Sequence, residues 1–212
     1  MQGQPAHPAE RDGRAGRPGG HPVRLRGHPQ PGGGPVRTAA FGAATPAGAF
    51  ELRPVDPDRD LALLAGWMND PAVSRWWELA GPPGTTAAHL APQLAPGSHS
   101  TPYLGLLDGT PMSYWEVYRA EADRLAGYYP AEPGDTGLHL LIGPPEHRGR
   151  GLGAVLLTAL ADGLLAAPDR VRLVAEPDLT NTPSLRAFER AGFAAVAELE
   201  LPEKRAALML RQ

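Results

Sequence analysis

Arg148-Gly149-Arg150-Gly151-Leu152-Gly153 has the residue types and spacing to hold phosphate. It follows the apolar run Leu138-His139-Leu140-Leu141-Ile142-Gly143 and precedes the helix-like run Ala154-Val155-Leu156-Leu157-Thr158-Ala159-Leu160-Ala161. A glycine-rich turn from a strand into a helix presents backbone N–H groups with no intrahelical acceptor, and these bind phosphate oxygens well. The glycines let a ligand approach the main chain, and Arg148 and Arg150 add positive charge. A dinucleotide fingerprint needs Gly-x-Gly-x-x-Gly, but the third glycine comes one residue early. A P-loop needs a lysine that this turn lacks. The expectation is a pyrophosphate-bearing cofactor gripped by the N–H groups of residues 149–153. An ordinary Gly/Arg surface turn has the same composition, so the surrounding elements must decide.

Those elements alternate. Phe50–Val55 reads as a first strand, and Asp58 as the cap of a helix carrying Leu61, Leu64, Ala65 and Met68. Asn69-Asp70-Pro71 ends that helix, and a short amphipathic piece runs to Trp76-Trp77. Another helix starts at Thr85 or Thr86 and meets Pro92. Asp108-Gly109 between Tyr103–Leu107 and Met112–Tyr118 signals a hairpin. A polar loop over 121–136 leads to the strand before the glycine-rich turn. Val171–Glu176 is a further strand, Pro177–Asn181 a loop, and Pro183–Ala191 a helix closed by Gly192. Phe193–Leu201 and Arg205–Leu210 form an antiparallel pair. This is an α/β layout, one mixed sheet with helices on its faces.

Composition narrows the chemistry. The chain has no cysteine, which excludes disulfides, cysteine-ligated zinc and a cysteinyl thioester intermediate. No apolar run is long enough for a membrane span. The net charge of -3 gives no general attraction to nucleic acid. Residues 1–48 carry six arginines against Glu10 and Asp12 and are dominated by Gly, Pro and Ala. Such a stretch buries too little apolar surface to offset its ordering entropy, and a disordered tail is expected. It lacks the apolar stretch of a secretory signal, so a cytoplasmic protein is expected. His7, His21 and His28 are too irregularly spaced for a metal site, and none is expected.

The spacing Arg148-x-x-Gly151-x-Gly153 resembles the acyl-CoA loop of the GNAT N-acyltransferase superfamily. Asn181-x-x-Ser184-x-x-x-Phe188-x-x-x-Gly192-Phe193 resembles the closing motif of that superfamily, in the right order and separation. The resemblance covers residues 49–211 or so. It implies the GNAT fold, a single mixed, mostly antiparallel sheet with helices on both faces. Trp67-Met68-Asn69-Asp70-Pro71, Trp76-Trp77-Glu78, Tyr114–Tyr118, Gly137–Pro145 and Ala175-Glu176-Pro177-Asp178 resemble the siderophore-pathway branch. The resemblance implies His139 and Asp178 as the catalytic pair, although Asp178 also suits an Asx turn. It places Leu141, Ile142, residues 148–153, Asn181 and Phe188 along the cofactor. Phe188 stands where many relatives carry a proton-donating tyrosine. The leaving thiolate then needs water, the substrate or His139 as its acid.

Strand alternation puts His139 and Leu141 on one face and Leu138, Leu140 and Ile142 on the other. The pantetheine arm is expected to pair along residues 137–143 as an added strand. Trp76, Trp77, Trp115, Glu116 and Tyr118 are candidates for the acceptor site, while Trp67 and Tyr114 belong to the core. The expected function is transfer of an acyl group, acetyl foremost, to a lysine-like amine or hydroxylamine. The acyl donor is acyl-CoA or an acyl carrier protein, which present the same arm. An aminoglycoside 6′-N-acetyltransferase and a non-catalytic acyl-CoA-binding protein are the alternatives.

Overall fold

The computed structural model describes residues 41–167, 169 and 172–212. Residues 1–40 of the tail expected over 1–48, and the strand start expected at Val171, lie outside them. One sheet runs in the order β1(Phe41–Thr45), β2(Gly48–Pro54), β3(Ser100–Leu107), β4(Thr110–Arg119), β5(Asp135–Ile142), β6(Arg172–Ala175), β8(Arg205–Arg211), β7(Ala194–Glu200). Among the described residues, only β5 and β6 pair in parallel. Every other neighbouring pair is antiparallel.

β1 falls inside the segment expected to be a tail ending at residue 48, so the sheet begins earlier than that boundary. Its small residues lack the bulky alternation that marks a strand. Phe41 anchors it, with its ring 5.9 Å from Phe50 and packed against Gly163. Asp108 and Gly109 turn the β3–β4 hairpin with φ of 48° and 77°, as a two-residue turn of this type requires.

The first helix, α1(Pro57–Met68), starts earlier than the cap expected at Asp58. Asp56 is the cap and accepts from the Asp58 N–H, with Pro57 opening the helix. Asp70 caps α2(Pro71–Trp77), and Pro92 lies inside α3(Pro83–Leu94). These three helices cover one face around Leu64, Met68, Leu90 and Tyr114. The other face is covered by α4(Leu152–Leu165) and α5(Thr182–Arg190), around Leu138, Leu156, Leu160 and Phe188. The sheet therefore carries helices on both faces.

β5 and β6 stay together for only three pairs, Asp135↔Arg172, Thr136↔Leu173 and Gly137↔Val174. Beyond them the chain after β6 leans onto β8. The Ala207 N–H donates to Pro177 O at 2.9 Å and the Leu179 N–H to Arg205 O at 3.0 Å. The edge of β5 from His139 to Ile142 is left without a strand neighbour on that side, and the sheet opens as a fork. Gly137 is the last residue of β5 paired with β6, and the Tyr118 ring lies across it. A Cβ there would come within 2.0 Å of Tyr118 Cζ. Gly137→Ala should therefore displace Tyr118 and cost about 1–3 kcal/mol in urea unfolding. A change below about 0.5 kcal/mol would contradict this packing.

Candidate active site

The fork opens into a cavity of about 830 Å³. Its walls come from α2, the C-terminal half of β5, the glycine-rich turn and the start of α5. Gly149 and Gly151 take φ of 70° and 80°, the left-handed region that glycine adopts at least cost. Among the described residues, the N–H groups of residues 149–153 have no backbone acceptor. Those of Ala154 and Val155 close on Gly151 O at 3.1 and 3.3 Å. The turn thus offers consecutive donors at the N-terminus of a 14-residue helix, the kind of terminus that favours anions.

Leu141, Ile142, Gly149, Gly151, Leu152 and Gly153 line the cavity. Asn181 lines it too, while its side chain caps α5 by accepting from the Ser184 N–H at 3.2 Å. Trp76 and Trp77 form the α2 wall.

Arg148 lines the cavity, but its guanidinium is committed to protein acceptors. Nε donates to Ile142 O at 2.9 Å, Nη2 donates to Gly143 O, and Nη1 lies 2.9 Å from Asp70 Oδ2. It ties the end of β5 to the cap of α2 and is a clamp rather than a free phosphate ligand. Arg150 is exposed and does not line the cavity. Phe188, expected along the cofactor, is buried edge-on against Phe193 with ring centroids 5.0 Å apart. Trp115, expected at the acceptor site, is fully buried against Phe50 and donates from Nε1 to Ser113 Oγ. Strand parity puts it on the core face, opposite Glu116.

At the fork, His139 lies on the expected face, and its side chain remains 35% exposed. Its partners are not the expected one. Nδ1 is 2.8 Å from Glu116 Oε2, and Nε2 is 2.7 Å from Glu176 Oε1. Asp178 turns instead onto its own loop, accepting from the Thr180 N–H at 2.7 Å and hydroxyl at 2.6 Å. The lean toward β8 carries it away from the fork. The β5–β6 register explains Glu176: it stands two residues beyond Val174, as His139 stands two beyond Gly137. The side chains meet across the opening although the backbones no longer pair.

Ionised carboxylates only accept, so a ring flanked by two of them must donate from both nitrogens. The carboxylates are buried and well supplied. Glu116 Oε1 accepts from His89 at 2.6 Å, Gln93 at 2.8 Å and Tyr114 at 2.9 Å. Glu176 Oε2 accepts from the Tyr118 hydroxyl at 3.1 Å, and Lys204 Nζ lies 3.7 Å from Oε1. Burial alone would lower the His139 pKa, but the charges of Glu176 and Glu116 and their hydrogen bonds raise it to about 10. Burial would likewise raise both carboxyls, but His139 and their other donors hold them well below the usual carboxylate range. Burial and Glu176 push the Tyr118 phenol well above its ordinary value. Trp77 stands edge-on to His139, with ring centroids 6.2 Å apart. At neutral pH the site therefore presents an imidazolium held between two carboxylates beneath an aromatic wall.

The arrangement suits acid–base work beside the open edge of β5. Residues 56–201 match the acetyltransferase (GNAT) domain family. The lysine N-acyltransferase MbtK of Mycobacterium sp. (strain MCS) is 35% identical over 160 residues, covering 75% of this chain and 65% of that protein. The N(6)-hydroxylysine O-acetyltransferase of Escherichia coli is 35% identical over 162 residues, covering 76% of this chain and 51% of that protein. The chain thus spans between half and two thirds of the length of these two relatives. Among solved structures, aminoglycoside acetyltransferase AAC(6')-Ib in complex with coenzyme A and kanamycin superposes with a TM-score of 0.67 at 27% identity. That match covers 77% of this chain and 94% of the other. With its fork, its glycine-rich turn and this match over most of its length, the chain belongs to the GNAT acetyltransferase domain family.

Proposed function

We propose that the chain transfers an acyl group, acetyl foremost, from acyl-CoA to the side-chain nitrogen of a lysine-like siderophore precursor. The observation that carries this reading is the open edge of β5, which runs from the anion-binding turn to His139. A pantetheine arm pairs with such an edge as an added strand does, and its thioester then lies beside the imidazolium. The relatives named for lysine and N6-hydroxylysine point to the acceptor class.

The charge state of His139 favours the hydroxylamine over the amine. An alkylammonium, with a pKa near ~10.4, must lose a proton before it attacks. An imidazolium bonded on both sides has no lone pair to take it. A hydroxylamine nitrogen arrives uncharged. As one C–N bond forms and one C–S bond breaks, His139 Nε2–H protonates the departing sulfur. The same nitrogen, now neutral, collects the proton shed by the acylated nitrogen. The ring returns to imidazolium and no proton passes to solvent. In this reading His139 serves first as the acid that Phe188 cannot be, and Glu116 and Glu176 keep it charged.

Two measurements check this reading. Purified chain with acetyl-CoA should acylate N6-hydroxylysine with a kcat/KM at least about 10-fold above that for lysine, and His139→Ala should lower turnover roughly 10²–10⁴-fold. Faster transfer to kanamycin than to either would overturn the acceptor assignment. In an NMR titration the His139 ring should show no protonation step between pH 5 and 8, and a midpoint near 6.5 would contradict the imidazolium. The stability sign follows from the same shifts. His139, with a raised pKa, contributes fully below pH 6.5 and loses its contribution as pH rises toward about 10. Glu116 and Glu176, with lowered values, contribute above pH 4.5 and lose that contribution as pH falls below it.

A further inference from the structure

Lys204 is the only lysine in the chain, and the other nineteen basic residues are arginines. It lies in the turn between β7 and β8, where the Leu201 N–H donates to Lys204 O at 2.9 Å. Arg124 fastens that turn by binding both carboxylate oxygens of Glu203. Lys204 Nζ stands 3.7 Å from Glu176 Oε1, the oxygen that His139 Nε2 meets at 2.7 Å. One carboxylate oxygen thus has both the imidazolium and the ammonium as neighbours. At 3.7 Å the ammonium attracts Glu176 without a hydrogen bond. Among the described residues it makes none to any protein group, although its side chain is only 25% exposed. The arginines that brace the fold differ. Arg53 reaches Asp60 at 2.8 Å, Arg172 reaches Asp135 at 2.7 Å and Arg148 reaches Asp70 at 2.9 Å. The carboxylates near Lys204 are already engaged, Glu203 by Arg124 and Glu176 by His139 and the Tyr118 hydroxyl. Lys204 therefore keeps three N–H donors unspent beside His139. A small crevice lined by Asp123, Arg124, Leu125, Glu176 and Leu201 reaches the same carboxylate, and it shares no lining residue with the large cavity. Glu176 is thus approached from a second side.

This inference rests on the reading of the chain as an acyltransferase for a lysine-like side chain. We propose that Lys204 is a specificity-determining residue that binds the α-carboxylate of the acceptor, so that the chain acts on a free amino acid rather than on a diamine or an aminoglycoside. The carboxylate is what separates these acceptors. An N6-hydroxylated lysine carries it, whereas a hydroxylated diamine and a polycationic sugar do not. In an extended lysine side chain, five bonds set the α-carbon roughly 6 Å from the terminal nitrogen. His139 Nε2 and Lys204 Nζ are neighbours across a single oxygen, so a chain of that length reaches from the ring to the ammonium. The ammonium is a compact charge with rotatable donors, suited to a carboxylate that arrives at the end of a flexible chain. A charge-assisted hydrogen bond made there holds the acceptor with its nitrogen at His139. An acceptor with positive groups alone meets the same ammonium as a like charge.

The test compares two acceptors that differ only in that carboxylate, N6-hydroxylysine and N-hydroxycadaverine, with acetyl-CoA as donor. Wild type should favour N6-hydroxylysine by at least about 10-fold in kcat/KM, with the discrimination expressed in KM. Lys204→Gln should lose that preference through a rise of at least about 10-fold in KM for N6-hydroxylysine. Lys204→Arg keeps the charge and should show a KM below that of Lys204→Gln. Circular dichroism checks that both variants fold. Equal wild-type values for the two acceptors would overturn the assignment. A Lys204→Gln chain that still prefers N6-hydroxylysine would overturn it too. So would one that slows alike on both acceptors, which would make Lys204 a support for Glu176. In each of those cases acyl transfer itself stands. Wild type that acylates neither acceptor would bring down the acyl-transfer reading and this inference with it.

Discussion

The site depends on one interruption of pairing. β5 and β6 run together for three residue pairs and then part, while the chain after Val174 keeps its hydrogen bonds to β8 on the other side. Backbone groups in a sheet normally demand partners, so an edge opened inside the sheet is an invitation to a ligand that can pair as a strand. The same parting leaves room for side chains from both arms to meet. His139 and Glu176 face each other where the next backbone pair of that face would have stood. The glycine-rich turn lies at the far end of the same arm of β5.

The buried charges are consistent with this geometry. Two carboxylates beneath the surface are costly unless every lone pair is served. Glu116 takes donors from α3, β4 and β5, and Glu176 takes them from β4, β5 and the β7–β8 turn. His139 is the one group that both share. It is fixed in orientation and charge by two flanking anions. Trp77 stands edge-on to the ring, whose side chain stays 35% exposed. Arg148 works at the opposite end. By binding Ile142 O, Gly143 O and Asp70, it locks the mouth of β5 to the aromatic wall carried by α2.

Much of this was legible before the structure. Alternation along Leu138–Ile142 placed His139 on its face, Asp108-Gly109 marked its hairpin, and the glycine-rich turn declared its helix. The misreadings have separate physical causes. β1 is made of small residues within a Gly/Pro/Ala background, and only its packing on Phe50 and Gly163 reveals it. Trp115 was taken for a binding aromatic, but its strand parity belongs to the core. Asp178 sits in a suggestive position in the chain, yet the pull of β8 swings it away and its turn consumes its carboxylate. Arg148 carries the expected charge but spends it on carbonyls that only tertiary structure brings near. Glu176 required knowledge of register between two parallel strands distant in sequence. Lys204 required knowing that the β7–β8 turn comes to rest beside Glu176.

Amide hydrogen exchange with and without acetyl-CoA tests the central claim most directly. If an extended acyl-pantetheine arm completes the fork, protection should rise at two places together, in the glycine-rich turn over residues 149–153 and along the β5 edge over residues 139–142. β1 and β7, at the outer edges of the sheet, should exchange as before. Protection confined to the turn, or no change along the β5 edge at saturating ligand, would contradict the account.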